Sequence, residues 1–425
     1  MIAKPALGGH DGKTPETPTS PVDSHAESVR DGTVIISEDG DIVLHIQHES
    51  AASTRTALFK VRSSVLKQHS RYFTGLLEGR FGEAERIAKE LSQLRLRYRS
   101  PTDAPSNELP TISISDVGRI SSVKSIEPLC TDFFAILHGN DTQGLPPVAN
   151  LANLAIVADR FDALDCVAAY VRRRRLIRAI DGKMNPKTDG ALSEEKVRQR
   201  VLVGALLDHG AWLERYSMRM IYKGWVGRDD IEETAAMWWS LPLRLEDEIA
   251  IRRDYIMETM QSLQAHFVGL YTSRERQCKL GYDSSAQCDS FQLGEMIRFL
   301  SRIGTLQVQG LVFDSADPPA PFAGDLHVLL DSLRQVPEYQ IDRNHSHCGI
   351  RTRLIPLLDL IADSLQHVGI CSECWSQDRV NYSWIDAKRP LLWKRETHQH
   401  RGRGHKDAHA VVRELFTASE RHWSS

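Results

Sequence analysis

The chain has no apolar run approaching the roughly 18–20 residues that a helix needs to cross a bilayer, so no membrane span is expected. Cysteine is sparse: 7 residues in 425 do not make a disulfide scaffold. Neither sign of charge dominates. With 53 Lys+Arg against 56 Asp+Glu and a formal net charge of −3, the surface as a whole does not court nucleic acid or an anionic membrane. The P-loop, dinucleotide-binding, nucleophile-elbow and H-E-x-x-H signatures are missing, and so is the paired motif of zinc deaminases. No zinc-finger, homeodomain or basic-zipper pattern is present to read DNA. The first thirty residues lack the apolar core of a secretory signal, so the thiols are expected to be reduced and the protein intracellular, in cytoplasm or nucleus. An enzyme is not expected.

What is present falls into two unlike parts. Residues 1–32 are rich in Pro, Ser, Thr, Gly and Asp and read as a disordered tail with too little to bury. From Thr33 the period is that of strands. Thr33–Ile36 and Ile42–Ile46 flank an Asp39-Gly40 pair, a hairpin or tight-turn signal, with Ile42, Leu44 and Ile46 on one face and Val43 and His45 on the other. A second strand, Ala57–Val61, shows Ala57, Phe59 and Val61 on one face. Two short helices follow, with Ser64 and Ser70 as candidate caps and Phe73, Leu76 and Leu77 at helical spacing. The charged stretch 82–108 reads as a surface insertion outside the core, and Leu109–Ser115 as a third strand. Two helical stripes then run through Ile126–Leu137 and Leu154–Val171.

The stripe stops at Arg172–Arg175. These four cations either complement a helix C-terminus or serve as a nuclear-localisation signal. Asp181–Gly190 reads as a linker. Beyond it the patterns are helical only, through Ile249–Phe267, Phe291–Leu300 and Leu354–Val368, interrupted by Asp317-Pro318-Pro319-Ala320-Pro321. Trp238-Trp239 fits core packing, and Asp208-His209 fits a helix cap or surface pair better than a catalytic dyad. Residues 396–425 read as a basic, His-rich tail that frays, although the Lys394–His409 stretch that leads into it could touch nucleic acid or metal.

In the first third, the order strand, strand, two helices, strand, helix, helix resembles the BTB/POZ domain. The residues that carry this are Gly40-Asp41-Ile42-Val43-Leu44, Phe59-Lys60-Val61 leading to Leu66, Ser70-Arg71-Tyr72-Phe73, Phe81-Gly82-Glu83, and Ala158-Asp159-Arg160-Phe161 within Leu154–Ala169. Arg62 stands where that family usually has His. The likeness covers about a third of the chain; a looser one relates the whole to long BTB proteins of filamentous fungi. It implies an α+β BTB/POZ fold over 33–183, followed by an all-α domain over 191–395. It further implies an interaction module that homodimerises through the Thr33–Ile46 region and the Val65–Leu77 helices, with Ile42, Leu44, Leu66 and Phe73 involved. Some members also dock on a cullin-type ubiquitin-ligase scaffold, for which Phe81, Glu83 and the helix near Phe133–His138 are the matching positions. Phe81-Gly82-Glu83 equally fits a plain helix end. The expected function is homodimerisation plus recruitment of an unidentified client, with a cullin-ligase substrate adaptor as the alternative.

The cysteines are unevenly spread, and five of the seven lie beyond the linker. His345-Ser346-His347-Cys348 and Cys371-Ser372-Glu373-Cys374, with 22 residues between them, have the spacing of paired zinc ligands. His345, Cys348, Cys371 and Cys374 are therefore the candidate structural zinc set, with His347 as a competing ligand. Cys278 and Cys288 could supply or replace a pair. The plainer account is buried free thiols that pack as small hydrophobes. A zinc-dependent enzyme in the helical half is the remaining alternative.

Overall fold

The structure, a computed structural model, describes residues 29–30, 32–50, 53–78, 82–121, 126–142, 144–228, 231–281, 283–305, 322–395 and 404–424. Phe81 and the Pro-rich break at 317–321 lie outside the described residues, as does nearly all of the 1–32 segment.

Seven strands are described: β1 (Val29–Arg30), β2 (Thr33–Ile35), β3 (Ile42–Ser50), β4 (Ser53–Val61), β5 (Thr111–Ile114), β6 (Leu392–Lys394) and β7 (Glu420–His422). The first five form one mixed sheet in the order β1-β2-β4-β3-β5, and β6 and β7 pair in parallel. β3 and β4 are the hairpin, in register from Ile42↔Val61 to Ser50↔Ser53. β5 returns parallel to β3 with Leu44 opposite Ile112.

The Asp39-Gly40 signal makes a tight turn rather than a hairpin. Gly40 N–H donates to the Ser37 carbonyl (3.0 Å), and the turn carries the chain across the end of β4, whose other edge pairs in parallel with β2. Glycine is required there by close approach, since a Cβ would lie 2.7 Å from Lys60 Cγ and 3.0 Å from Val61 N.

The alternation of β3 is as expected: Ile42, Leu44 and Ile46 are buried with Ala57, Phe59 and Val61 against the helices. These helices are α1 (Ser63–His69), α2 (Arg71–Glu78), α4 (Glu127–Leu137), α5 (Val148–Arg160) and α6 (Leu164–Arg173). Phe59, Phe73, Phe133, Phe134 and Phe161 form a continuous aromatic cluster, with ring centroids 5.2–6.4 Å apart. The opposite face is covered by α3 (Gly82–Arg97) and the turns after it, where Leu94, Ala104 and Leu109 close on Val43. The 82–108 segment is thus a lid on the sheet, and its Ile87 reaches the main core.

Two local expectations change. Ser64 is not a cap; Asp41 fills that role by accepting from Ser63 N–H (2.7 Å) and Ser63 Oγ (2.6 Å). Ser70 does cap α2, accepting from Phe73 N–H at 3.0 Å. The Leu154–Val171 stripe is two helices, because Asp162 takes the left-handed conformation (φ 47°) that Asp tolerates, and Ala163 N–H closes onto the Ala158 carbonyl at 2.8 Å.

The helical half continues through α7 (Leu176–Asp181), α8 (Pro186–Gly190), α9 (Glu194–Leu206), α10 (Gly210–Lys223), α11 (Leu245–Thr272), α12 (Ser285–Arg302), α13 (Leu326–Arg334), α14 (Arg351–Leu365), α15 (Ser372–Gln377), α16 (Arg379–Tyr382) and α17 (His405–Thr417). Asp208-His209 sits in the turn before α10, and His209 accepts from Trp212 N–H at 3.3 Å as a cap. The Asp181–Gly190 segment is not an open linker, since it is built into α7 and α8 and buries Asp189. α9 packs on α5, and one apolar core runs from Val34 to Trp423. The 396–425 segment is corrected in the same way. Val412, Leu415 and Phe416 recur on one face of α17 and are buried, as is Trp423, so much of this segment is a packed element. No described helix is long and apolar enough to cross a membrane.

Candidate metal centres and interaction surface

Two clusters of candidate metal ligands lie among the described residues of the helical half. In the first, Cys278 follows α11, Cys288 opens α12 and Cys348 precedes α14. Their sulfurs lie within 4.8 Å of one another, with Cys278 and Cys348 at 3.8 Å. The Asp289 carboxylate, accepting from Gln277 N–H and Cys278 N–H (both 2.9 Å), ties the Cys278 loop to α12. Tyr271 hydroxyl holds the other side by donating to the Cys348 carbonyl (3.1 Å). Burial pushes the Cys288 thiol up to about 12 and also raises Cys348. Burial acts on Cys278 in the same direction, but hydrogen bonds to its sulfur, from Cys348 and Cys288 among others, outweigh it and leave that thiol the more acidic one. Three sulfurs this close together are a set that a thiophilic cation would organise.

In the second cluster, Cys371 and Cys374 open α15 and His409 lies in the second turn of α17. Their ligand atoms are within 4.8 Å of one another, and Cys374 Sγ is 3.5 Å from His405 Nε2. The cysteine strand is fixed from several sides. Ile370 N–H donates to Ser217 Oγ (2.8 Å), and Cys371 N–H donates to the Tyr382 hydroxyl (2.8 Å). Tyr382 hydroxyl in turn donates to the Gly369 carbonyl (3.0 Å), and Arg252 donates to the Val368 and Gly369 carbonyls (2.9 and 3.1 Å). Burial, then the neighbouring Cys371, pushes Cys374 up to about 11. Burial, then the Arg252 charge, brings His409 down to about 4, so its imidazole is neutral at neutral pH.

The four residues predicted from spacing therefore do not form one site. Cys348 joins Cys278 and Cys288, whereas Cys371 and Cys374 join a histidine from the C-terminal helix. His345 belongs to neither cluster. It is fully buried in the turn Arg343–His345, with Nδ1 2.8 Å from Asp342 Oδ1 and Nε2 3.3 Å from Ser284 Oγ. His347 lies at the surface beside Glu338, Nδ1 to Oε1 3.1 Å. The alternative in which Cys278 and Cys288 supply a pair is the one the geometry matches. His405 and His409 lie in the Lys394–His409 stretch that the sequence marks as able to touch metal, here the start of α17. Their i, i+4 spacing, which puts both on one helix face, was the available signal.

The predicted interaction residues are mostly interior. Ile42, Leu44, Leu66 and Phe73 are fully buried in the core of the chain, so they support the sheet–helix module from within. Glu83 is exposed in the first turn of α3. His138 is held internally, accepting from Arg62 N–H (3.1 Å) with Nδ1 2.8 Å from the Phe134 carbonyl. Between the α1–α2 turn, α4 and α6 lies an open groove of about 980 Å³ lined by His69, Arg71, His138, Asp165, Cys166 and Arg173, among others.

Neither a protein-family model, nor a curated protein, nor a solved structure matches the chain significantly.

Three buried charge networks outside these clusters are closed on themselves. Arg198 is shared between Glu194 (2.8 Å) and Glu246 (2.8 and 3.0 Å). Glu248 accepts from Arg252, Ser383 Oγ and Trp384 N–H at 2.8–2.9 Å. Asp189 accepts from Arg215, Tyr216 and Arg219. Each carboxylate is saturated by partners from its own fold and anchors one segment to another.

Proposed function

We propose that the protein is a non-catalytic interaction protein. Its first third is a BTB/POZ-type module that pairs with a second copy, and its helical half recruits a client protein. The observation that carries this reading is the arrangement of β3, β4 and β5, with β5 parallel to β3, backed by α1, α2 and α4–α6 in that chain order. It agrees with the element order that the Gly40–Leu44, Phe59–Leu66, Ser70–Phe73 and Ala158–Phe161 segments suggest. The closed state of Glu246, Asp189 and Glu248, whose oxygens are taken up by partners within the fold, supports a scaffolding role. The pairing surface in this reading is the β1–β2 edge together with the outer sides of α1 and α2, where Tyr72, Leu76 and Leu77 are half-buried.

Light scattering on the full chain at micromolar concentration tests it. A mass of twice the chain is expected, and a monomer removes the pairing claim.

The groove between the α1–α2 turn and α4 favours a second reading, in which a cullin-type scaffold docks at this end. Co-precipitation of a cullin by the wild type, lost in Phe81→Ala/Glu83→Ala, supports it; no association with either protein removes it.

A further inference from the structure

The second Cys/His cluster contains more than a pair of cysteines. Zn–S bonds of about 2.3 Å at the tetrahedral angle put two sulfurs about 3.8 Å apart, and a sulfur and an imidazole nitrogen about 3.5 Å apart. The Cys374 Sγ to His405 Nε2 separation is 3.5 Å, and Cys371, Cys374 and His409 all fall within 4.8 Å of one another. A second observation is independent of these distances. His409 is 8% exposed, and its Nδ1 is buried without a hydrogen-bond partner. A buried polar atom without a partner is costly, and a metal ion removes that cost where no protein donor does.

The geometry points to a structural zinc site formed by Cys371, Cys374, His405 and His409, which clips α17 to the start of α15. The chemistry balances. Zn²⁺ gains two thiolates and two neutral imidazoles, the two cysteine thiols lose their protons to solvent, and the product is neutral. Two sulfurs and two nitrogens in a tetrahedron suit zinc over the oxygen-seeking calcium and magnesium. Four protein ligands leave no position for water, so the site is a staple. His405 is half exposed and also lies 3.6 Å from Glu373 Oε2; on metal binding its ring turns from that carboxylate toward the two sulfurs. The ion ties a CxxC held by Arg252 and Tyr382 to a helix that otherwise docks by Val412, Leu415 and Phe416.

The test uses the full chain without a polyhistidine tag. Zinc is measured by mass spectrometry in the wild type, Cys374→Ser and His409→Ala, with circular dichroism as the check on folding. Each variant is expected to lose one equivalent of zinc relative to the wild type. In parallel, chelator-treated wild type is titrated with Co²⁺. The intense visible bands of a tetrahedral thiolate–imidazole site are expected, and His409→Ala should bind one equivalent of cobalt fewer, with the bands reduced to match. Unchanged zinc in both variants overturns the site, because any remaining metal then belongs to the Cys278–Cys288–Cys348 cluster. If the variants fail to fold, the wild-type titration decides alone. No thiolate-to-cobalt band, or a band unchanged by blocking histidine with diethyl pyrocarbonate, overturns the proposal.

Discussion

Glu248 and Arg252 stand one turn apart on the buried face of α11, 0% and 1% exposed, with Arg252 Nε donating to Glu248 Oε1 at 2.8 Å. The pair joins three stretches of chain. The carboxylate holds Ser383 and Trp384, and the guanidinium holds Val368 and Gly369 while facing the Tyr382 and Trp384 rings at 4.9 and 5.0 Å.

Removing one member leaves the other charged and buried, which costs about 3–5 kcal/mol. Arg252→Met is expected to lower stability by that amount in a denaturant titration, and Glu248→Gln/Arg252→Met should recover part of the loss. If the double variant is as unstable as the sum of the singles, the two residues do not act as a pair.

Ser70 does two jobs with one hydroxyl. It donates to the Phe161 carbonyl at 2.6 Å and accepts from Phe73 N–H at 3.0 Å, which links the α2 cap to the end of α5. Ser70→Ala is expected to cost about 1–2 kcal/mol, read as a lower denaturation midpoint with unchanged slope. A change below a few tenths would mean that water satisfies both groups.

Asp189 sets an acid limb. Burial by itself raises its carboxyl, but hydrogen bonds from Tyr216 and Arg219, with the charges of Arg219 and Arg215, reverse this and hold it below its ordinary 3.8. A depressed value in the fold means a contribution fully present above 3.8 that fades as the pH falls through the folded value. The stability profile of Asp189→Asn should therefore be flatter than that of the wild type on the acid side. Parallel profiles would remove Asp189 from the acid response.

Gly204 inverts the usual helix preference. Alanine is ordinarily the better helix former by about 1 kcal/mol, yet a Cβ here would lie 2.6 Å from Leu213 N and 3.2 Å from the His209 carbonyl. Gly204→Ala should destabilise the protein by wedging α9 from α10. Increased thermal stability would show that the two helices separate freely.

The elements most legible in the sequence are those whose period alone decides the burial. Ile42, Leu44 and Ile46 alternate, and Leu129, Cys130, Phe133 and Leu137 follow one helical stripe into the core. The break at Asp162 was hidden, because an Asp in the left-handed region has no composition mark when apolar residues continue on both sides. At the candidate metal centres the CxxC was visible as a motif. Its partners were not, since the ligand spacing of His345 and Cys348 is equally the spacing of one tight turn, which Cys348 N–H closes by donating to the His345 carbonyl at 3.4 Å. α17 was masked by the Arg- and His-rich residues that precede it. Its burial depends on the few apolar positions Val412, Leu415 and Phe416, too few to outweigh that composition in a sequence window.

The seam between α5 and α9 has a consequence for how the chain is made. α5 is buried along almost its whole length, and part of what covers it is α9, which ends 46 residues after Arg160. At a synthesis rate of about 5–20 residues per second, that cover arrives roughly 2–9 s after α5 itself. Until then the nascent first third carries a bare apolar flank, open to chaperones and to other chains on the same polysome.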